Sequence, residues 1–119
     1  MSTNYFLVAE TPLGDKRIHV GKLSSGWRFT FHGYWEFDGP ADLTTFDEWQ
    51  RYITKMVETS VFPGVTLEDE YGNVVEPVTL FDDIVAASDR KRHENDDEAR
   101  PGYQSDPSEP ADFLFAYFS

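Results

Sequence analysis

The stretch Ile18-His19-Val20-Gly21-Lys22-Leu23-Ser24-Ser25-Gly26-Trp27-Arg28-Phe29-Thr30-Phe31-His32 decides the fold class. Ile18 and Val20 alternate with His19 and Gly21, and beyond the Leu23–Gly26 loop Trp27, Phe29 and Phe31 alternate with Arg28, Thr30 and His32. A period of two marks a strand with one buried face, so the stretch predicts a β-hairpin. Pairing Val20 with Phe29 and Ile18 with Phe31 gathers the apolar side chains on one side. The opposite side then presents Arg17, His19, Arg28, Thr30 and His32.

On the N-terminal side, Tyr5 to Ala9 is a compact apolar run that predicts a strand, stopped by the turn residues Thr11-Pro12-Leu13-Gly14. On the other side Gly39-Pro40 breaks the chain, and Thr45 with Glu48 forms a capping-box pattern ahead of Phe46, Trp49, Ile53, Met56 and Val57. Their helical spacing predicts an amphipathic helix from about Thr45 to Thr59, closed near Pro63-Gly64. Val65-Thr66-Leu67, a turn at Tyr71-Gly72-Asn73 and a return through Val74-Val75 predict a second hairpin. Thr79 with Asp82 offers a cap for a short second helix through Leu80, Phe81, Ile84, Val85 and Ala87, ending near Ser88.

From Asp89 to Asp112 the chain has no Ile, Leu, Val, Phe, Met or Trp. Such a segment lacks core anchors, so residues 89–112 are expected to form a flexible acidic loop. The run Phe113 to Phe118 is strongly apolar and is expected to return to the sheet as a strand at 113–118. The expected architecture is a single α+β domain over 1–119, in the order β-β-β-α-β-β-α-β. It has an antiparallel sheet of five or six short strands with two helices packed on one face.

Composition narrows the function classes. With no Cys among 119 residues, a disulfide framework, a thiolate nucleophile and Cys-ligated metals are excluded. Twenty-two Asp and Glu against ten Lys and Arg give a net charge of −12, which repels nucleic-acid backbones and anionic lipid. No stretch reads as a secretion signal or a membrane span. The charge is uneven: residues 1–34 hold Lys16, Arg17, Lys22 and Arg28 against Glu10 and Asp15, a local +2 that leaves −14 for the rest.

No catalytic constellation emerges. His19 and His32 can share a sheet face, but their spacing matches no metal-ligand pattern, and His93 lies in the loop. Ser24 and Ser25 lack a Gly-x-Ser-x-Gly elbow. The Gly21–Gly26 loop holds Lys, Ser and Gly without the phosphate-loop order, and it joins two strands where such a loop would open a helix. The carboxylate pairs Asp47-Glu48, Glu68-Asp69-Glu70, Asp82-Asp83 and Asp96-Asp97-Glu98 are too many to single one out, and most read as solvated faces. Neither a metal nor a cofactor is implied.

The run from Ile18 to Phe29 resembles a His-aliphatic-Gly-Lys-x-Ser-x-Gly-Trp-x-Phe signature of small uncharacterised bacteriophage proteins. Asp69-Glu70-Tyr71-Gly72 and the ending Phe118-Ser119 are similar to further segments of that group, while the long acidic insertion before the last strand departs from it. The resemblance implies a phage or prophage origin and an accessory role in the cytoplasm of an infected host cell, and says nothing about activity. Two functional classes follow. The first is a non-enzymatic protein that binds a host macromolecule, with its acidic surface standing in for nucleic-acid phosphates on a basic partner protein, and without binding nucleic acid or membrane itself. The second is a small-ligand binder or enzyme in which Arg17, His19, Lys22, Ser24, Ser25, Arg28 and His32 receive an anion such as a nucleotide phosphate.

Overall fold

Gly21 sits where two central strands leave no room for a side chain. In the computed structural model, which describes residues 2–11, 13–34, 41–59, 64–92 and 103–115, a Cβ built on Gly21 would stand 2.3 Å from the Thr30 carbonyl oxygen and 2.9 Å from Phe31 Cα. Only a residue without a side chain admits that contact. Gly21 belongs to β2 (Gly14–Ser24), which pairs antiparallel with β1 (Ser2–Thr11) on one side and with β3 (Thr30–His32) on the other.

The register corrects the expected hairpin. Gly21 faces Phe31 and Lys22 faces Thr30, where Val20–Phe29 and Ile18–Phe31 were expected. Two local events account for this. A bulge places Tyr5 opposite Gly21 and Phe6 opposite His19, so Val20 is the extra residue and the alternation of β2 slips by one. Trp27 to Phe29 also leave the hairpin: the Arg28 amide donates to the Lys91 carbonyl at 3.0 Å, and the Phe29 carbonyl accepts from the Asp112 amide at 2.9 Å. The alternation was real, but its hydrogen-bond partners lie far along the chain.

The remaining strands are β4 (Val65–Asp69), β5 (Tyr103–Ser105) and β6 (Asp112–Leu114), giving a six-stranded sheet in the order β4-β1-β2-β3-β6-β5. All pairs are antiparallel except β3–β6. The helices are α1 (Phe46–Thr59) and α2 (Pro77–Ala86), so the fold is α+β. The order departs from expectation twice. Val74-Val75 makes a bridge from Val74 to Glu68 and a 2.8 Å bond from the Val75 amide to the Leu67 carbonyl, but no strand. Conversely, β5 arises within 89–112, where a flexible loop was expected; residues 93–102 of that loop and 116–118 of the expected last strand lie outside the described residues.

The α1 start is half a capping box. Thr45 Oγ1 accepts the Glu48 amide at 3.1 Å, but the Glu48 carboxylate turns to Thr44, accepting its amide at 2.9 Å and its hydroxyl at 2.8 Å. Burial pushes the Glu48 carboxyl up, and these bonds outweigh it and hold the group below its usual range. α2 opens differently from the expected Thr79 cap: Glu76 is the N-cap without a side-chain bond, and Pro77 supplies the preset φ of the first turn.

Residues that face one another across a ladder share a side of the sheet. Leu67, Leu7, Tyr5, Gly21, Phe31 and Phe113 therefore lie on one side. Leu7, Phe31, Leu67 and Phe113 join Phe29, Trp49 and Ile53 of α1, and Leu80 and Ile84 of α2 in the buried core. The Trp49 ring stacks on Phe31 with centroids 5.7 Å apart, and its Nε1 donates to the His32 carbonyl at 3.1 Å. Trp27 is only half buried, under the Lys91 ammonium at 4.7 Å from its ring. No helix among the described residues is long and apolar enough to cross a membrane.

Candidate functional site

The slipped register decides which of the sequence candidates meet. Val8 faces Arg17, Phe6 faces His19, Asn4 faces Lys22 and Lys22 faces Thr30. Arg17, His19 and Lys22 therefore share the sheet side opposite the Leu7–Phe31 side, and His32, two residues after Thr30, joins them. The rings of His19 and His32 lie 5.6 Å apart. His19 Nε2 bonds Asn4 Oδ1 at 2.9 Å, while the Tyr34 hydroxyl reaches both the His19 carbonyl at 3.3 Å and His32 Nδ1 at 3.2 Å. Phe6 covers His19 with ring centroids 5.1 Å apart, and the Arg17 guanidinium lies over the Phe6 ring.

This side is basic and aromatic, and its chemistry is restrained. Burial, then the neighbouring charges of His32 and Lys22, lower the pKa of His19 to about 4 against an opposing backbone bond at Gly21. His19 is neutral at physiological pH and a weak base. Ser24 stands five positions along β2, roughly 15 Å away at strand spacing, and Ser25 is exposed in the turn, so neither hydroxyl is within reach of His19 for nucleophilic activation.

Arg28 is the candidate whose environment differs most from expectation. It is 1% exposed, and its Nη1 donates to Asp112 Oδ1 and to the Asp106 carbonyl, both at 3.3 Å. Asp112 also accepts the Ser105 hydroxyl at 2.6 Å, and Arg92 Nη1 donates to Ser105 Oγ at 3.3 Å. Burial lowers the Arg28 pKa, and Asp112 opposes that most strongly. Asn4, Tyr34, Ser105 and Asp112 escaped the sequence reading because none belongs to a motif; register alone brings them in.

Seven of the 22 acidic residues fall in one unit that carries no cation. From Val65 to Asp89, the segment of β4, its turn and α2, the chain carries Glu68, Asp69, Glu70, Glu76, Asp82, Asp83 and Asp89 and no Lys, Arg or His. Glu70, Glu76, Asp82, Asp83 and Asp89 are exposed. Tyr71, Val74, Val78 and Val85 stand exposed among them, each more than half accessible. Val78, Asp82 and Val85 follow the i, i+4, i+7 spacing of one α2 face, while Leu80, Ile84 and Ala87 turn into the core. Asp69 secures the turn by accepting the amides of Tyr71 at 2.9 Å and Asn73 at 3.0 Å, and Gly72 takes the positive φ of 84° that the turn requires.

A cavity of about 440 Å³ opens beside the start of α1, between Thr44-Thr45 and the segment from Gln104 to Phe113. Among the described residues no group of three or more His, Asp and Glu is placed to hold a metal ion. Comparison with protein-family models, with curated proteins and with solved structures finds no match to this chain.

Proposed function

We propose that this chain is a non-enzymatic interaction protein whose β4–turn–α2 unit docks a basic surface of a partner protein. The observation that carries this reading is the run of seven carboxylates without a cation from Val65 to Asp89, with apolar side chains exposed among the acids. Separated acids alone would solubilise; acids interleaved with Tyr71, Val74, Val78 and Val85 offer a partner both a complementary field and area to bury. The resemblance to small bacteriophage proteins supports a host protein as that partner, met in the host cytoplasm, with the carboxylates standing where nucleic-acid phosphates would bind.

The anion-ligand alternative draws less support. Arg28, one of its two arginines, is buried against Asp112, and His19 is held neutral. The test is amide NMR of the labelled protein titrated with a lysine- and arginine-rich peptide. Saturable shifts clustered between Glu70 and Asp89 are expected; shifts spread evenly over all acidic residues, or none, would overturn the docking reading.

A further inference from the structure

The cavity at the start of α1 has walls of one electrostatic kind. Asp106 and Glu109 line it together with the hydroxyl residues Thr44, Thr45 and Ser105, part of the buried Phe113 side chain reaches its wall, and among the described residues no Lys, Arg or His lines it. An anion is disfavoured here although a helix begins alongside, because amides of that first turn already have acceptors. The Glu48 amide donates to Thr45 Oγ1, and the Phe46 amide lies near enough to the Glu109 carboxylate to favour its charged form. Two cations stand close, and both are engaged: Arg28 with Asp112, and Arg92 with Ser105.

We propose that this cavity receives an arginine side chain of the basic partner, with Glu109 and Asp106 accepting from the guanidinium. The proposal rests on the docking reading above and deepens it. Guanidinium suits the walls because it is planar, presents five donors for the carboxylates and hydroxyls, and sheds water more readily than an ammonium group. A carboxylate can accept up to about four hydrogen bonds, so Glu109 keeps capacity beside the Phe46 amide. Burial is the main effect that pushes the Glu109 carboxyl up, with Asp106 and Asp47 adding to it against Phe46 and Arg28, so a cation brought into the cavity would stabilise its charged form. The cavity also adjoins the proposed docking unit through a short chain of contacts, since the Phe46 ring that begins α1 meets Phe81 of α2 edge to face at 6.2 Å.

The test uses the full chain with N-acetyl-arginine amide, its neutral isostere N-acetyl-citrulline amide, and a peptide carrying either residue. The arginine probes are expected to shift the amides of Thr45, Ser105 and Glu109 saturably and to lower the Glu109 carboxyl pKa followed by carbon NMR. The citrulline peptide should bind about tenfold more weakly, and Glu109→Gln should weaken the arginine peptide by a similar factor. Equal binding of arginine and citrulline probes, or an unmoved Glu109 titration in the wild-type chain, overturns the cavity assignment, even where the peptide still docks on α2. Arginine-specific shifts at Glu109 without peptide shifts between Glu70 and Asp89 would keep the cavity and sink the docking reading instead.

Discussion

Arg28 Nη1 stands 3.3 Å from Asp112 Oδ1 with both side chains buried, so two residues 84 positions apart tie the entry of β3 to the first residue of β6. Removing one partner strands a charge out of water. Asp112→Ala should cost about 3–5 kcal/mol in urea unfolding, and adding Arg28→Met to it should recover part of that loss. A near-zero cost for the single change would show that water already reaches the pair.

Gly21→Ala pushes a methyl group into the backbone of β3, with the Thr30 carbonyl oxygen 2.3 Å from the new carbon. The strands must part or slip. We expect a loss of about 1–3 kcal/mol or more, together with faster amide exchange at Phe31. An unchanged melting temperature would contradict the described register.

Phe29→Ala should cost about 3–5 kcal/mol, because the ring is fully buried beside Phe31 with centroids 4.7 Å apart. A change within experimental noise would place Phe29 outside the core.

His19 has a folded pKa of about 4 against a reference value of 6.5. Between those values the unfolded chain binds a proton that the folded chain refuses, so stability falls as pH drops from about 6.5 towards 4 and is flat above that window. His32, Lys22 and Arg17 share the face, and a proton on His19 would meet their charge. Wild type should lose more melting temperature between pH 7 and pH 4.5 than His19→Gln, which keeps a donor for Asn4. Parallel curves for the two proteins would rule out the half-buried neutral histidine.

The α+β class and the two helices were legible because hydrophobic period acts locally, as at Phe46–Trp49–Ile53 and Leu80–Ile84, while of the two expected caps only Thr45 of α1 forms. What sequence alternation could not convey was partner choice. Trp27 to Phe29 read as a continuing strand, yet their backbone groups bond Lys91 and Asp112, and one bulge at Val20 reset the faces of β2. Arg28 looked like a surface cation for the same reason. Its burial depends on Asp112 arriving from the far end of the chain. The closeness of His19 and His32 was readable as a shared face, but Asn4 and Tyr34, which fix those rings, carry no local signal.

The docking claim is tested most directly by reversing the charge of the α2 face. In the triple variant Glu76→Lys, Asp82→Lys and Asp83→Lys all three positions are exposed, so the fold should persist with an unchanged far-ultraviolet circular dichroism spectrum. Calorimetry with a lysine- and arginine-rich peptide, at about 50 and 200 mM salt, should show wild-type binding that weakens as salt rises and at least a tenfold loss in the triple variant. A folded triple variant that binds the peptide as tightly as wild type, with the same salt dependence, would contradict the account.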